Sequence, residues 1–194
     1  MRTTRPKVLR WSRREYDQMT RIGLFEGKRV ELIHGIIYKK DRQSPQHAYC
    51  VHAIARILEN AFGDNYWVRQ QLQLRLLKNS DPEPDIAVAR GSTYEDFKNH
   101  PSAAELVIEI SHTDRDLAFC RSGKAALYAK AGIEDYWIVN LMSFQLEVLR
   151  GVKNCGDVKC DYSNRFILLP NEMVSPLRAP KAKIAVADLL PPNE

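Results

Sequence analysis

The sequence predicts an α/β domain, a mixed β-sheet flanked by helices, and three observations predict it. At 194 residues the chain is long enough to bury a core of its own, and its 44% hydrophobic and 27% charged residues are those of a globular protein. Its apolar pattern switches along the chain between a helical period of three to four and a strand period of two. One run, ELVIEI, is apolar on both faces except for Glu109, the pattern of an inner strand covered from both sides. The expected organisation is a single domain over 1–194, with an N-terminal helix and arm (1–27), a core (28–178) and a C-terminal tail (179–194).

Ser12 and Glu15 have capping-box spacing, so a short helix carrying Tyr16, Met19 and Ile22 is expected before Gly23. RVELIHGIIYKK, rich in β-branched residues and interrupted by Gly35, reads as two strands joined at a tight bend or one bulged strand. From Pro45, residues Val51, Ile54, Ala55, Leu58 and Phe62 recur at helical spacing until Gly63. Alternation from Val68 to Leu76 predicts a half-buried strand closed by Asn79, Ser80, Asp81 and Pro82. PEPDIAVAR is a strand introduced by prolines, and a polar loop from Gly91 to Pro101 separates it from ELVIEI. A helix from about Arg115 to Ala131 ends at Gly132. EDYWIVNL, QLEVLRG, KCDYS and RFILL are then strands, the last three a meander with turns at Asn154 to Asp157 and at Ser163 and Asn164. In the tail, Ile184, Val186 and Leu189 are expected to dock on the body.

Composition narrows the function. No apolar run reaches the roughly 18 residues of a membrane span, and the basic start lacks a signal-peptide core, so a cytoplasmic protein without membrane association is expected. Cys50, Cys120, Cys155 and Cys160 form no C-x-x-C pair and read as free thiols. A formal charge of +5 favours polyanions. Arg2, Arg5, Lys7, Arg10, Arg13 and Arg14 crowd the first segment, either as a solvated terminus or as a phosphate-contacting arm.

Three acids stand where a core disfavours them: Glu31 in an apolar run, Asp85 at a strand opening, and Glu109 inside ELVIEI. A buried carboxylate must be paired, neutralised or bound to a cation, and a few oxygen ligands suit Mg²⁺ better than zinc. Taken singly, each acid could instead pair with an arginine or cap a helix. Lys124 lies on the stripe Leu117, Cys120, Leu127, Tyr128 and Ala131, either aimed at the acids or snorkelling to the rim. A proline-flanked Asp, an apolar strand bearing a Glu, then a helix with a lysine is the order of parts of a metal-dependent nuclease core. No Gly-rich phosphate loop supports a small-molecule phosphohydrolase.

The stretches WSRREYDQM, RVELIHGIIYKK with SPQH, PEPDIAV, ELVIEIS and KAALYAKAGIEDYWIVNL together resemble the Uma-type putative restriction endonucleases, a branch of the PD-(D/E)XK nuclease superfamily. The resemblance implies a restriction-endonuclease-like fold, Asp85 and Glu109 as metal-binding acids with Glu31 as an additional one, and Mg²⁺ or Mn²⁺ as cofactor. Lys124 resembles a migrated lysine, since Ser111 occupies the superfamily's usual lysine position; Gln71 and His47 resemble residues the family often places near its site, though each also has a plain structural reading. Where family members commonly read D-R-x-x-K, this chain has Cys120, Arg121, Ser122, Gly123 and Lys124, with Asp114 and Asp116 as candidate substitutes for the missing acid. The expected function is a Mg²⁺-dependent DNA endonuclease, with Glu31, Asp85, Glu109 and Lys124 catalytic and a homodimer as the assembly. The competing expectation is a nuclease-like nucleic-acid-binding or assembly module that no longer cuts.

Overall fold

A computed structural model describes residues 8–153 and 160–192. Six strands form one mixed sheet in the order β3–β4–β5–β6–β7–β8: β3 Tyr66–Gln70, β4 Ile86–Arg90, β5 Leu106–Ser111, β6 Asp135–Asn140, β7 Gln145–Val152 and β8 Tyr162–Leu168. All neighbours are antiparallel except β5 and β6, whose parallel pairing requires the helical crossover between them. Alternating side chains put Ile86, Val88, Ile108 and Trp137 on one face, under α2 (Pro45–Phe62) and the C-terminal segment. Ala87, Val107, Tyr136 and Ile138 lie on the other, under the crossover helix and the first hairpin. Both β5 and β6 are buried along their whole length.

Local chemistry accounts for most boundaries. α1 (Arg13–Arg21) starts with the predicted capping box, Ser12 and Glu15 bonding each other's backbone N–H. α2 starts at the Ser44 cap with Pro45 in its first turn and ends at Gly63, whose φ is +69°. Strands β1 (Val30–Ile33) and β2 (Ile36–Lys39) form a hairpin with both loop residues, His34 and Gly35, at positive φ, the type I′ geometry. Gly35 is also required sterically, since a Cβ there would sit 2.7 Å from Arg10 Cβ. A one-turn helix α3 (Tyr94–Phe97) interrupts the polar loop before β5.

Three expectations are corrected. The strand predicted to reach Leu76 stops at Gln70, and Gln71 turns out of the sheet at φ +54°. Its partner explains this: the β3–β4 ladder ends at Gln70 opposite Ile86, and Pro84 and Pro82 upstream have no N–H to continue it. No turn occurs at Ser163 and Asn164, because β8 runs unbroken beside β7, with Asn164 opposite Arg150 and Ser163 Oγ donating to the Gly151 carbonyl at 2.9 Å. Cys50 and Cys120 are free thiols, but Cys160 is disulfide-bonded. Arg2, Arg5, Lys7, Cys155 and the turn from Asn154 to Asp157 lie outside the described residues.

The tail closes the first core face. β9 (Met173–Val174) pairs with β10 (Ile184–Ala185), and Ile184, Val186 and Leu189 are buried against α2's face. Asp135, fully buried at the start of β6, ties this segment down by accepting from Trp137 Nε1, Arg150 Nε and the Leu177 N–H at 2.7–2.8 Å. No helix among the described residues is long and apolar enough to cross a membrane.

Asp81 is the contrasting case: 1% exposed, in a bridge to Leu32, with no hydrogen-bond partner for either carboxylate oxygen. Burial raises its pKa to about 6 from 3.8, against the opposing pull of Arg75 and Arg13. Folding therefore takes up a proton between those values, so the group's penalty is absent below about pH 4 and grows as pH rises through 6. Asp81→Asn is expected to stabilise the protein at pH 7.5 by about 2–3 kcal/mol and to flatten stability between pH 4 and 6, measured by urea unfolding across pH. Equal stability of the two proteins at pH 7.5 would refute this.

Candidate active site

The end of β5, the start of β4, the first hairpin and the crossover helix meet at one point. Glu109 faces the crossover helix from the middle of β5, and Glu31 reaches the same place from β1. Asp85 stands just before β4, where Oδ2 accepts the Ile110 N–H at 2.8 Å and lies 3.1 Å from His47 Nε2 of α2. All three acids are 3–4% exposed. The structure therefore gathers the four residues singled out from sequence, Glu31, Asp85, Glu109 and Lys124, in one place.

Lys124 arrives through an irregularity. The crossover is α4 (Asp114–Phe119), a π-helical turn (Cys120–Lys124), then α5 (Ala125–Lys130). One wider turn rotates the helix beyond it, a device common at functional sites. Lys124 Nζ lies 2.8 Å from Glu109 Oε1 and 3.2 Å from Glu31 Oε1, buried rather than snorkelling. Tyr128 OH donates to the same Glu109 oxygen at 2.6 Å. Three residues before Lys124, Arg121 binds the fully buried Glu147 of β7 through both Nε and a terminal nitrogen at 2.6–3.1 Å, anchoring the turn. Gly123 leaves room for the Phe119 ring, which packs on Tyr38 with centroids 4.7 Å apart.

Lys124 thus serves two of the three buried carboxylates, Glu31 and Glu109, while the third, Asp85, is held by His47. Burial alone would lower the Lys124 pKa, but Glu109 and Glu31 overcome it and hold the ammonium charged well above its ordinary range. Burial raises Glu109, with Asp85 and Glu31 adding to the rise and Lys124 opposing it. Asp85 goes the other way: burial pushes it up, yet the His47 hydrogen bond and the charges of His47, Lys40 and Lys124 hold it at about 2. Burial pushes the Cys120 thiol up, so it stays neutral beside Glu109. Oxygen donors in excess over cationic partners are the chemistry of a site for a hard dication. Among the described residues no three His, Cys, Asp or Glu side chains already stand as a ligand cluster; Lys124 bridges Glu31 and Glu109 instead.

The acids floor a cavity of about 520 Å³ whose walls also carry Arg29, Lys39, Lys40, Arg42 and Arg115. An acidic floor below a cationic rim fits a phosphate ester approached from the rim. Of the residues held open from sequence, His47 lines this cavity, whereas Gln71 does not; the Gln71 backbone N–H donates to the Asp85 carbonyl at 3.1 Å. Asp116 also lines the cavity and accepts from Thr113 Oγ1 at 2.8 Å, while Asp114 is exposed. Sequence reasoning passed over the Arg121–Glu147 pair and treated His47 as a helix-start residue. The available signal was His47's place on the buried stripe Cys50, Val51 and Ile54, where an imidazole requires a polar partner.

Comparison with known proteins bears on this site. A family model, Uma2, described as putative restriction endonuclease, matches residues 13–187. No curated protein matches the chain. Among solved structures, the chain is similar to a putative nuclease belonging to DUF820 from Anabaena variabilis ATCC 29413, at 16% identity and a TM-score of 0.64, covering 82% of this chain and 88% of that one. At that identity the likeness establishes the fold.

The tight seat of Phe119 gives a structural test. A Cβ on Gly123 would lie 2.4 Å from the Phe119 ring, so Gly123→Ala must displace the ring from Tyr38 or distort the π-turn. The expected cost is about 1–3 kcal/mol of stability by chemical denaturation. Phe119→Leu, which shortens the clashing group, should recover part of it in the double variant; no cost for Gly123→Ala would contradict this packing.

Proposed function

Because the chain belongs to the Uma2 family of putative restriction endonucleases, we propose that it is a DNA endonuclease that hydrolyses phosphodiester bonds with Mg²⁺ or Mn²⁺. The observation that carries the proposal is Lys124 held between Glu31 and Glu109, with Asp85 beside them, on the floor of a cavity rimmed by cations. Asp85 and Glu109 would hold the ion, and Glu31 would assist through a water or a second ion. When bound, such an ion lowers the pKa of a water and polarises a phosphate oxygen.

The chain's own residues do the rest. His47 and the Ile110 N–H keep Asp85 ionised and oriented. Lys124 stays protonated and offers its charge to the phosphate as negative charge builds there. Arg29, Lys39, Lys40, Arg42 and Arg115 hold flanking phosphates without regard to sequence, so affinity falls with salt. A homodimer, which would bring two such sites to one duplex, belongs to the same reading; the outer edge of β8, with Phe166 and Ile167 exposed, is a surface open to pairing.

Cys120 favours a second reading, a nucleic-acid-binding or assembly module that does not cut. Its neutral, buried thiol stands where the resemblance places an aspartate, leaving Lys124 without that carboxylate one turn away.

The expected result is metal-dependent cleavage of supercoiled and linear DNA by the wild type. Asp85→Ala and Lys124→Ala, each verified as folded by circular dichroism, should lose at least about 100-fold of this activity. His47→Ala, which removes a positioning contact to Asp85, should lose about 10- to 100-fold in activity or Mn²⁺ affinity. DNA binding without cleavage, by both the wild type and Cys120→Asp, would establish the second reading instead.

A further inference from the structure

A second cavity of about 420 Å³ lies next to the acidic one and shares Arg29 with it. It sits between the end of α1 and the proline-fixed segment Pro82–Glu83–Pro84–Asp85, with Glu83 and Gln73 in its wall. The Glu83 N–H donates to Glu31 Oε2 at 3.2 Å, so a wall residue of the second cavity is bonded directly to an acid of the first. Residues 83 and 85 are two steps apart on an extended chain, roughly 6–7 Å, about one nucleotide step along a nucleic-acid strand.

The lining is chemically divided. Phe25, half-buried, packs against Tyr16 with centroids 5.5 Å apart, and the Tyr16 hydroxyl is engaged by the Val30 carbonyl at 3.0 Å, so this ring pair forms an apolar wall. Opposite in character are the Glu83 carboxylate and the Gln73 amide, whose Nε2 lies 3.5 Å from Glu83 Oε1. Lys28 and Arg29, both exposed, supply positive charge beside the exposed Glu26. An aromatic wall, a carboxylate with an amide, and nearby cations are the three parts that receive a nucleobase with its phosphate. A bare phosphate has no use for Phe25 or Glu83, and an acidic peptide would meet the Glu83 charge.

We infer that this second cavity binds the base of the nucleotide adjoining the cleaved bond, and that Glu83 selects a base with paired N–H donors on its Watson–Crick edge, guanine foremost. The selection comes from the carboxylate, which only accepts when ionised: guanine presents two adjacent donors, N1–H and N2–H, to its two oxygens, whereas the other bases offer fewer on that edge. The inference rests on the nuclease reading for the word "cleaved", but the pocket can be tested without cleavage.

The test titrates the ¹⁵N-labelled chain, without divalent metal, with each of the four deoxynucleoside monophosphates. Saturating shifts at the Gly23 and Phe25 amides and the Gln73 side-chain amide are expected, with deoxyguanosine monophosphate about 10-fold tighter than the others. Glu83→Gln should erase that preference, and Phe25→Ala should weaken all four. Equal affinities, or no shifts at these positions, overturn the inference. In parallel, the wild type acting on random-sequence DNA should leave guanine enriched at one fixed position beside the cut, an enrichment lost in Glu83→Gln. A wild type that cuts nothing defeats the nuclease reading, while the titration still decides the pocket.

Discussion

A carboxylate in the middle of an inner strand cannot be left to itself. Glu109 is covered by neighbouring strands and by the crossover helix, and without a cation its burial would cost several kcal/mol. The Lys124 ammonium resolves this, and in doing so it fixes other parts of the fold. It sits at the end of a π-turn, and the Arg121–Glu147 pair holds that turn to β7. It also draws in Glu31, which brings the first hairpin against the same place. Buried carboxylates here share their cationic partners: Glu31 and Glu109 share Lys124, and His47 faces Asp85.

The parts of this arrangement that depend on local chemistry could be read from the sequence. The capping box at Ser12 and Glu15, the proline-to-glycine span of α2 and the tight bend at Gly35 each need only a few adjacent residues. The inner strand was legible because no side of ELVIEI is polar, and Glu31, Asp85 and Glu109 stood out because each breaks an apolar setting. Lys124 was legible only as a choice between two destinations, since a stripe on a helix says which face is buried and not what it meets.

What escaped was decided elsewhere in the chain. The end of β3 at Gln70 is set by prolines more than ten residues later, which an alternating pattern cannot register. The continuity of β8 through Ser163 and Asn164 is set by its pairing with β7. His47 takes its role from Asp85, and Arg121 from Glu147, two partnerships that exist only after the sheet has formed. The Cys160 disulfide escaped for a different reason, because the spacing of the cysteines carries no C-x-x-C signature.

The parallel pairing of β5 with β6 has a consequence for how the site comes together in time. Glu109 and Lys124 lie 15 positions apart, within the single crossover that this pairing demands. Bringing Glu31 to the same lysine closes a loop roughly six times longer, which costs about 1.6 kcal/mol more in chain entropy. One half of the constellation is therefore a short-range product of the crossover, formed at the pace of local contacts, and the other half waits for the hairpin to be captured from far along the chain. A folding chain meets its charge problem and the beginning of its solution in the same stretch of sequence, so Glu109 need not be buried before its lysine is at hand.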